Sequence, residues 1–166
     1  MDKIKLAFLG VGDVAQRDYL PEFHRLADRA ELVAVCSRTE RRARAVAEEY
    51  EVLAWYTDYE RMLAETNADA VINLTPIQLH TETTIAALQA GKHVYTEKPV
   101  ATSVHEAKRI REEAARRQLK LVCAPCVMLF PQVRYTRSLL VEGAIGEVYA
   151  ARGHGHGGVP PWRGFL

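Results

Sequence analysis

Two glycines end an apolar run near the start of this 166-residue chain, in the order Ile4-Lys5-Leu6-Ala7-Phe8-Leu9-Gly10-Val11-Gly12-Asp13-Val14-Ala15. In the spacing Gly-x-Gly-x-x-Ala, Gly10 permits a tight turn, Gly12 lets a pyrophosphate approach the backbone, and Ala15 lets a helix pack closely on a strand. The N–H groups that open the helix, from Gly12 through Asp13 and Val14 to Ala15, would then face the phosphates. Methyltransferases and ordinary strand-turn-helix units also carry such glycines. The spacing alone therefore leaves a nucleotide site and a purely structural turn as alternatives.

A second group of candidate residues follows the next apolar segment, which ends at Cys36. Dinucleotide-binding folds place a carboxylate there to bind the ribose 2′-hydroxyl of NAD, whereas an arginine accommodates the 2′-phosphate of NADP. This chain has Ser37, Arg38 and Thr39, with no carboxylate before Glu40. Ser37 and Arg38 would bind a 2′-phosphate through charge-assisted hydrogen bonds, which favours NADP over NAD. The alternative is that Arg38 is a solvated residue at the start of a helix.

Cysteine and histidine pairs raise the question of a metal site. Cys123 and Cys126 have the spacing of redox and zinc motifs, and His154 with His156 could complete a set of four ligands. The segment Lys120-Leu121-Val122-Cys123 is more typical of a buried strand in which the thiol packs as a small hydrophobic group. We therefore expect no metal, and we assign no role to the two histidines.

The candidate residues lie at the boundaries of alternating strands and helices. Apolar segments predict strands at 4–9, 31–36, 52–55, 70–74, 93–95 and 119–124. Amphipathic segments between them predict helices, the first over residues 13–28 with an interruption at Pro21 and a later one capped by Asp58. His80 opens the helix after the fourth strand, and Ser103 with Glu106 forms a capping box for the last. This alternation predicts an α/β fold, a doubly wound parallel sheet of the Rossmann type, over residues 1–124.

Residues 125–166 have a different pattern. Pro131 suits the first turn of a helix that ends at Gly143, and residues 147–152 predict one more strand. A single strand cannot form a sheet by itself. We therefore predict that residues 125–166 are the beginning of a second, truncated α/β domain.

Two stretches carry a resemblance to a known family: Leu74-Thr75-Pro76 with His80, and Gly91-Lys92-His93-Val94-Tyr95-Thr96-Glu97-Lys98-Pro99. Together with the early glycines they are similar, in order and spacing, to signatures of the Gfo/Idh/MocA family of NAD(P)-dependent oxidoreductases. The resemblance covers nearly the whole chain. It adds these residues to the expected cofactor site: Leu74, Thr75, Pro76, His80, Glu97, Lys98 and Pro99.

The resemblance also implies roles. The Thr75-Pro76 turn and His80 would border the nicotinamide, Glu97 would help to anchor the cofactor, and Pro99 would shape a turn, often after a cis peptide. Lys98 would lie beside the substrate and the nicotinamide. Family members continue into a second domain that supports the substrate and often the oligomer interface, so the resemblance implies this role for the region that begins at residue 125.

The residue types fit these implied roles. Ligands of open parallel sheets bind beyond the carboxyl ends of the strands, where Thr75 and Lys98 are both predicted to lie. Hydride transfer between a nicotinamide and a carbinol needs a partner for the hydroxyl proton. A partly buried Lys98 could be this partner, because desolvation makes an ammonium group release its proton more readily. The alternative for Lys98 is a solvated lysine in a Lys-Pro turn, and for His80 a polar residue at a helix start.

The net charge and the length of the apolar segments exclude some classes of binding partner. The chain has 22 basic and 21 acidic residues, a formal net charge of +1, so it lacks the basic field that binds nucleic acid. Its longest apolar segments are too short to span a bilayer, and the charges at Asp13, Arg17 and Asp18 disfavour a signal peptide. We therefore expect a cytoplasmic protein with a small-molecule substrate and no membrane partner. Apolar faces left open in the second domain predict a homo-oligomer.

Taken together, the sequence predicts an oxidoreductase that transfers a hydride between NADP, or NAD, and a sugar, cyclitol or related polyol or carbonyl compound. Lys98 is the expected catalytic residue. The main alternative is a dinucleotide-binding module that senses or carries its cofactor without turnover. A methyltransferase is a third hypothesis, which the Glu97-Lys98-Pro99 tripeptide disfavours.

Overall fold

The computed structural model describes residues 2–124 and 126–154. The chain divides into two compact units, residues 1–124 and 125–166. All the residues expected to bind cofactor lie in the first unit.

Six parallel strands form the sheet of the first unit, in the order β3-β2-β1-β4-β5-β6. The strands are β1 (Ile4–Leu9), β2 (Ala30–Cys36), β3 (Ala54–Tyr56), β4 (Ala70–Asn73), β5 (His93–Thr96) and β6 (Leu121–Cys123). The helices are α1 (Glu40–Glu49), α2 (Tyr59–Glu65), α3 (His80–Gln89) and α4 (Val104–Arg116), and α5 (Pro131–Val141) belongs to the second unit. The predicted doubly wound α/β fold is therefore confirmed. Its order of strands reverses between β1 and β4, which is where such sheets bind ligands.

The register of the strands aligns their carboxyl ends. Leu9, the last residue of β1, pairs with Cys36 of β2 and with Asn73 of β4. Asn73 in turn pairs with Thr96, the last residue of β5. The residues that follow these strand ends therefore form one row along a single edge of the sheet.

Both faces of the sheet are covered, which explains why its central strands are apolar throughout. On one face, Ala7 and Leu9 pack with Met62 of α2 and Leu88 of α3. On the other face, Phe8 packs with residues that include Val46 of α1. This two-sided core fixes β1 and β4, the two strands on either side of the reversal.

The helix predicted over residues 13–28 is wrong in its extent. The structure has a π-helical turn at Ala15–Tyr19 and a separate 3₁₀ turn at Phe23–Leu26. The Leu20 N–H closes the first turn by donating to the carbonyl of Ala15 at 2.8 Å. Pro21 follows directly and has no N–H to continue a helical ladder, so the chain turns there.

The predicted caps are confirmed. The Asp58 carboxylate accepts hydrogen bonds from the backbone N–H groups of Glu60 and Arg61, at 2.8 and 3.1 Å. The Ser103 hydroxyl accepts the N–H of Glu106 at 3.2 Å, and the Glu106 carboxylate accepts the Ser103 hydroxyl at the same distance. These side chains satisfy N–H groups that the first turn of a helix leaves without partners.

Two strand predictions need correction. The segment ending at Cys123 is not a buried strand, because β6 lies at the edge of the sheet and Val122 is 49% exposed. Residues 147–152 form no strand, and all of them are exposed. A strand needs a neighbour with which to share its hydrogen bonds, and the part of the second unit that the structure describes offers none.

Helices long and apolar enough to cross a membrane are absent from residues 2–124 and 126–154.

Candidate cofactor site

The glycine turn after β1 is shaped by a close approach of backbone. Gly10 has a φ of +93°, and a Cβ placed on it would lie 2.7 Å from the carbonyl carbon and oxygen of Leu74. Only glycine fits this position, both for its conformation and for its space. The turn is thereby held against the segment that follows β4.

Gly12 has the opposite surroundings. A Cβ added there would meet nothing within 4 Å, so the space beside its Cα is open. The helical turn starts directly after it, Ala15 is fully buried against the sheet, and Asp13 is exposed while Val14 is half-buried. The first N–H groups of a helical turn have no partners within the helix and are able to bind an anion. The turn therefore leaves room for the pyrophosphate that the glycine spacing leads us to expect there.

Ser37 and Arg38 lie directly beyond β2, on the same edge of the sheet. Ser37 is 9% exposed, and its hydroxyl accepts the N–H of Thr39 at 3.4 Å. Arg38 is exposed. A guanidinium in this position is available to bind a phosphate in a bidentate manner.

A buried network fixes the turn after β4. Asn73 is fully buried, and its side-chain amide donates to the hydroxyls of Thr83 and Thr84 on α3, at 2.8 and 3.0 Å. Its side-chain carbonyl accepts both the N–H and the hydroxyl of Thr75, at 3.2 and 2.7 Å. Leu74 is buried and Pro76 is exposed. The network holds the Thr75-Pro76 turn in one orientation above the end of β4.

Glu97 is held by hydrogen bonds to the segments that follow β1 and β5. Its Oε1 accepts the hydroxyl of Tyr19 at 2.6 Å, and its Oε2 accepts the backbone N–H of Lys98 at 2.8 Å. Burial raises the pKa of Tyr19, and hydrogen bonds to Glu97 and Tyr95 raise it further, so Tyr19 stays protonated and donates. Glu97 therefore links the helical turn after the glycines to the loop after β5.

The loop after β5 departs from one expectation. Lys98 and Pro99 are both exposed, so the partial burial predicted for Lys98 is wrong for the described residues. The reason is that Lys98 lies on a loop, beyond Thr96, the last paired residue of β5. The Lys98–Pro99 peptide bond is cis. His80, in contrast, is 1% exposed, with Nδ1 2.7 Å from the Pro99 oxygen and Nε2 2.8 Å from the Thr75 oxygen.

Sequence analysis missed two residues of this arrangement, Tyr19 and Asn73. Asn73 has a recognisable signal, because it is a polar residue in an otherwise apolar strand and directly precedes the Leu74-Thr75-Pro76 stretch. Tyr19 has a weaker one, since a tyrosine near a helix end has many possible partners.

The metal hypothesis finds no support in the described residues, where no group of three His, Cys, Asp or Glu side chains is arranged to hold an ion. His154 is exposed. The side chain of Cys126 and all of His156 lie outside the part that the structure describes.

The first unit of the chain matches a known protein family. The family model "Oxidoreductase family, NAD-binding Rossmann fold" of Gfo/Idh/MocA proteins matches residues 4–124. The chain belongs to the Gfo/Idh/MocA family. The matched residues include the glycine turn and every other residue expected to bind cofactor.

Three similar proteins are a glucoside dehydrogenase and two enzymes that were crystallised with a nicotinamide cofactor. D-glucoside 3-dehydrogenase of Escherichia coli strain K12 is 32% identical over 162 residues, which are 96% of this chain and 46% of that protein. The WlbA dehydrogenase of Bordetella pertussis, crystallised with NADH and UDP-GlcNAcA, is 27% identical with a TM-score of 0.84, over 89% of this chain and 45% of that one. A mutant of the 3-ketoreductase KijD10 from Actinomadura kijaniata, crystallised with TDP-benzene and NADP, is 33% identical with a TM-score of 0.79. It too is matched over 89% of this chain and 45% of its own. The chain thus spans less than half the length of each of these Gfo/Idh/MocA proteins.

Proposed function

We propose that this chain is the cofactor-binding part of an NADP(H)-dependent dehydrogenase or reductase that acts on a sugar, cyclitol or related polyol or carbonyl compound. One observation carries the proposal: Gly10, Ser37, Leu74 and Glu97 follow strand ends that are paired in register along one edge of the sheet. Neighbouring strands lie about 4.8 Å apart, so this row extends over roughly 14 Å. An elongated dinucleotide fits along such a row better than a compact ligand does.

Different residues would bind different parts of the cofactor. The amides of residues 12–15 would bind the pyrophosphate, because the space in front of Gly12 is open. Ser37 and Arg38 would bind the 2′-phosphate of the adenosine. The segment from Leu74 to Pro76 would border the nicotinamide, supported from behind by Asn73.

The bound nicotinamide would supply or accept the hydride. Lys98 would exchange the proton of the reacting hydroxyl or carbonyl oxygen, since Lys98 is an exposed residue on the loop after β5, where ligands of such sheets bind. Glu97 would hold the backbone of this loop and the hydroxyl of Tyr19 in place. In this way it would help to anchor the cofactor. Residues 125–166 would form part of a second domain that contributes to substrate binding.

Binding and turnover together test the proposal. NADPH is titrated into the full chain by its fluorescence, and turnover is then measured against a panel of sugars and cyclitols. Binding with turnover supports the oxidoreductase. Binding without turnover of any panel member favours the alternative, a module that binds a dinucleotide without catalysis. Binding of a methyl donor in place of a nicotinamide would contradict both.

Replacing Arg38 with alanine tests the choice of NADP over NAD. We expect NADPH affinity to fall about tenfold, the low end for a hydrogen bond to a charged group at an exposed site. NADH affinity should change less than about twofold, because NADH has no 2′-phosphate for Arg38 to bind. Arg44→Ala is the matched control, since Arg44 is an exposed arginine further along α1 that pairs with Glu48 at 3.0 Å. Unchanged NADPH affinity in Arg38→Ala, or tighter binding of NADH than NADPH by the unmodified chain, would contradict the assignment.

The predicted homo-oligomer has a basis in α5. Tyr135 is 65% exposed, Leu140 42% and Val141 74%, so apolar side chains of this helix lie open to solvent. Apolar surface of this kind promotes association. We expect sedimentation velocity to show dimers or larger species, and Val141→Lys to shift them toward monomers. A clean monomer of the unmodified chain at high concentration would refute the prediction.

A further inference from the structure

The imidazole of His80 joins two loops of the candidate site. Nδ1 lies 2.7 Å from the carbonyl oxygen of Pro99, and Nε2 lies 2.8 Å from that of Thr75. A carbonyl oxygen only accepts hydrogen bonds, so a ring nitrogen that carries a proton donates it to the carbonyl that it faces. The ring is 1% exposed, and both of its nitrogens are occupied by backbone. His80 thus has no free nitrogen with which to contact a cofactor or a substrate.

The two loops differ in the contacts that they make besides those with His80. Thr75 is fixed on the β4 side, since its N–H and its hydroxyl both donate to the side chain of Asn73. On the other side, Lys98 and Pro99 are exposed. The bond from His80 to the Pro99 carbonyl connects this exposed loop to the buried start of α3. The imidazole ring therefore adds a second link between this loop and the end of β4, beside the Glu97 N–H that donates to the carbonyl of Asn73 at 2.9 Å.

We propose that His80 is a positioning residue whose ring lies between the carbonyl oxygens of Pro99 and Thr75 and keeps the Lys98-Pro99 loop at a fixed distance from the Thr75-Pro76 turn. The inference rests on the proposed function, in which the first loop carries the proton-exchanging lysine and the second borders the nicotinamide. A displacement of about 1 Å between such groups is enough to lower turnover about 100-fold.

The environment of the ring is measured directly by nitrogen-15 NMR on the unmodified chain without cofactor. The proposal expects the His80 ring to have an N–H proton that is protected from exchange with water. A ring whose N–H protons exchange as freely as those of an exposed histidine would overturn it. This result depends neither on turnover nor on any variant being able to fold.

Two substitutions each retain one of the two bonds. The side-chain amide nitrogen of His80→Asn lies near the position of Nδ1 and retains a donor for Pro99. That of His80→Gln lies near Nε2 and retains a donor for Thr75. The amide protons of Thr75 and Lys98 report on the two loops, because they bond to Asn73 and Glu97 respectively.

We expect the rate of amide hydrogen exchange at Lys98 to rise about 3–10-fold in His80→Gln, as the loss of one hydrogen bond would cause. The rate at Thr75 should change little. His80→Asn should show the reverse.

In the active protein, His80→Gln should lower kcat roughly 10–100-fold with NADPH affinity within about twofold. His105→Gln, at an exposed histidine of α4, is the control. Equal acceleration at both loops in both variants would mean that His80 only stabilises the fold, and would overturn the proposal. A failure of the unmodified chain to bind NADPH would defeat the proposed function but would leave the exchange results valid.

Discussion

Lys98→Ala is expected to reduce turnover about 10²–10⁴-fold, the usual contribution of a group that transfers a proton in the transition state. Lys98 is the cation that the structure places on the loop after β5, at the edge of the sheet where β1, β4 and β5 end together. Its side chain is exposed, and the backbone N–H of the residue is fixed by Glu97 at 2.8 Å. Loss of the ammonium should therefore affect chemistry without disturbing the loop. NADPH affinity should change less than about threefold, because the proposed phosphate contacts are at residues 12–15 and at Arg38, after β1 and β2.

Steady-state kinetics with the best substrate of the panel, together with an NADPH titration, separates these two effects. Lys108→Ala is the matched control, since Lys108 is an exposed lysine on α4 and lies outside the predicted site. It should leave both kcat and NADPH affinity unchanged. Intact turnover in Lys98→Ala would remove this residue from the mechanism, and an equal loss in Lys108→Ala would show that the effect is not local.

Gly10→Ala is expected to lower the free energy of unfolding by about 2–5 kcal/mol. The conformation of Gly10, with φ at +93°, costs a residue with a Cβ about 1–2 kcal/mol. The added Cβ would also lie 2.7 Å from the backbone of Leu74 and 2.8 Å from the nitrogen of Thr75. Overlap of this kind in a packed region costs roughly 1–3 kcal/mol more, because backbone cannot rotate out of the way. Urea denaturation followed by circular dichroism measures the change.

Gly12→Ala separates the stability of the turn from its binding role. The added Cβ would meet nothing within 4 Å, so stability should stay within about 0.5 kcal/mol of the unmodified chain. The methyl group would, however, stand where a phosphate approaches the amides. We expect NADPH affinity to fall roughly 10–100-fold through the loss of a charge-assisted hydrogen bond. Full NADPH affinity in Gly12→Ala, or full stability in Gly10→Ala, would contradict the geometry of the turn.

Local patterns were sufficient to predict most of the fold. Each central strand is a short apolar run bounded by a turn residue, and Asp58 and Ser103 have the residue type and spacing of helix caps. The glycine spacing and the stretches around Thr75 and Glu97 also predict which edge of the sheet carries the site. These features depend on residues close together in the sequence, which is why sequence analysis finds them.

Contacts between distant segments could not be predicted in this way. Tyr19 and Glu97 are 78 residues apart, and nothing in either segment indicates the hydrogen bond between them. The same holds for His80, whose type and position are equally consistent with a catalytic or a solvated residue until the carbonyl oxygens on both sides of its ring are known. The partial burial of Lys98 was predicted wrongly, because burial depends on neighbours that local sequence does not specify. The absence of a strand at residues 147–152 has the same cause, since strand formation depends on a partner elsewhere in the chain.

A crystal structure of the chain soaked with NADPH tests the central claim most directly. The account predicts density along the edge of the sheet, with the pyrophosphate on the amides of residues 12–15, the 2′-phosphate against Arg38, and the nicotinamide between the Thr75-Pro76 turn and Lys98. An empty edge, or NADPH bound elsewhere with Lys98 directed away from it, would contradict the assignment of this chain to redox chemistry.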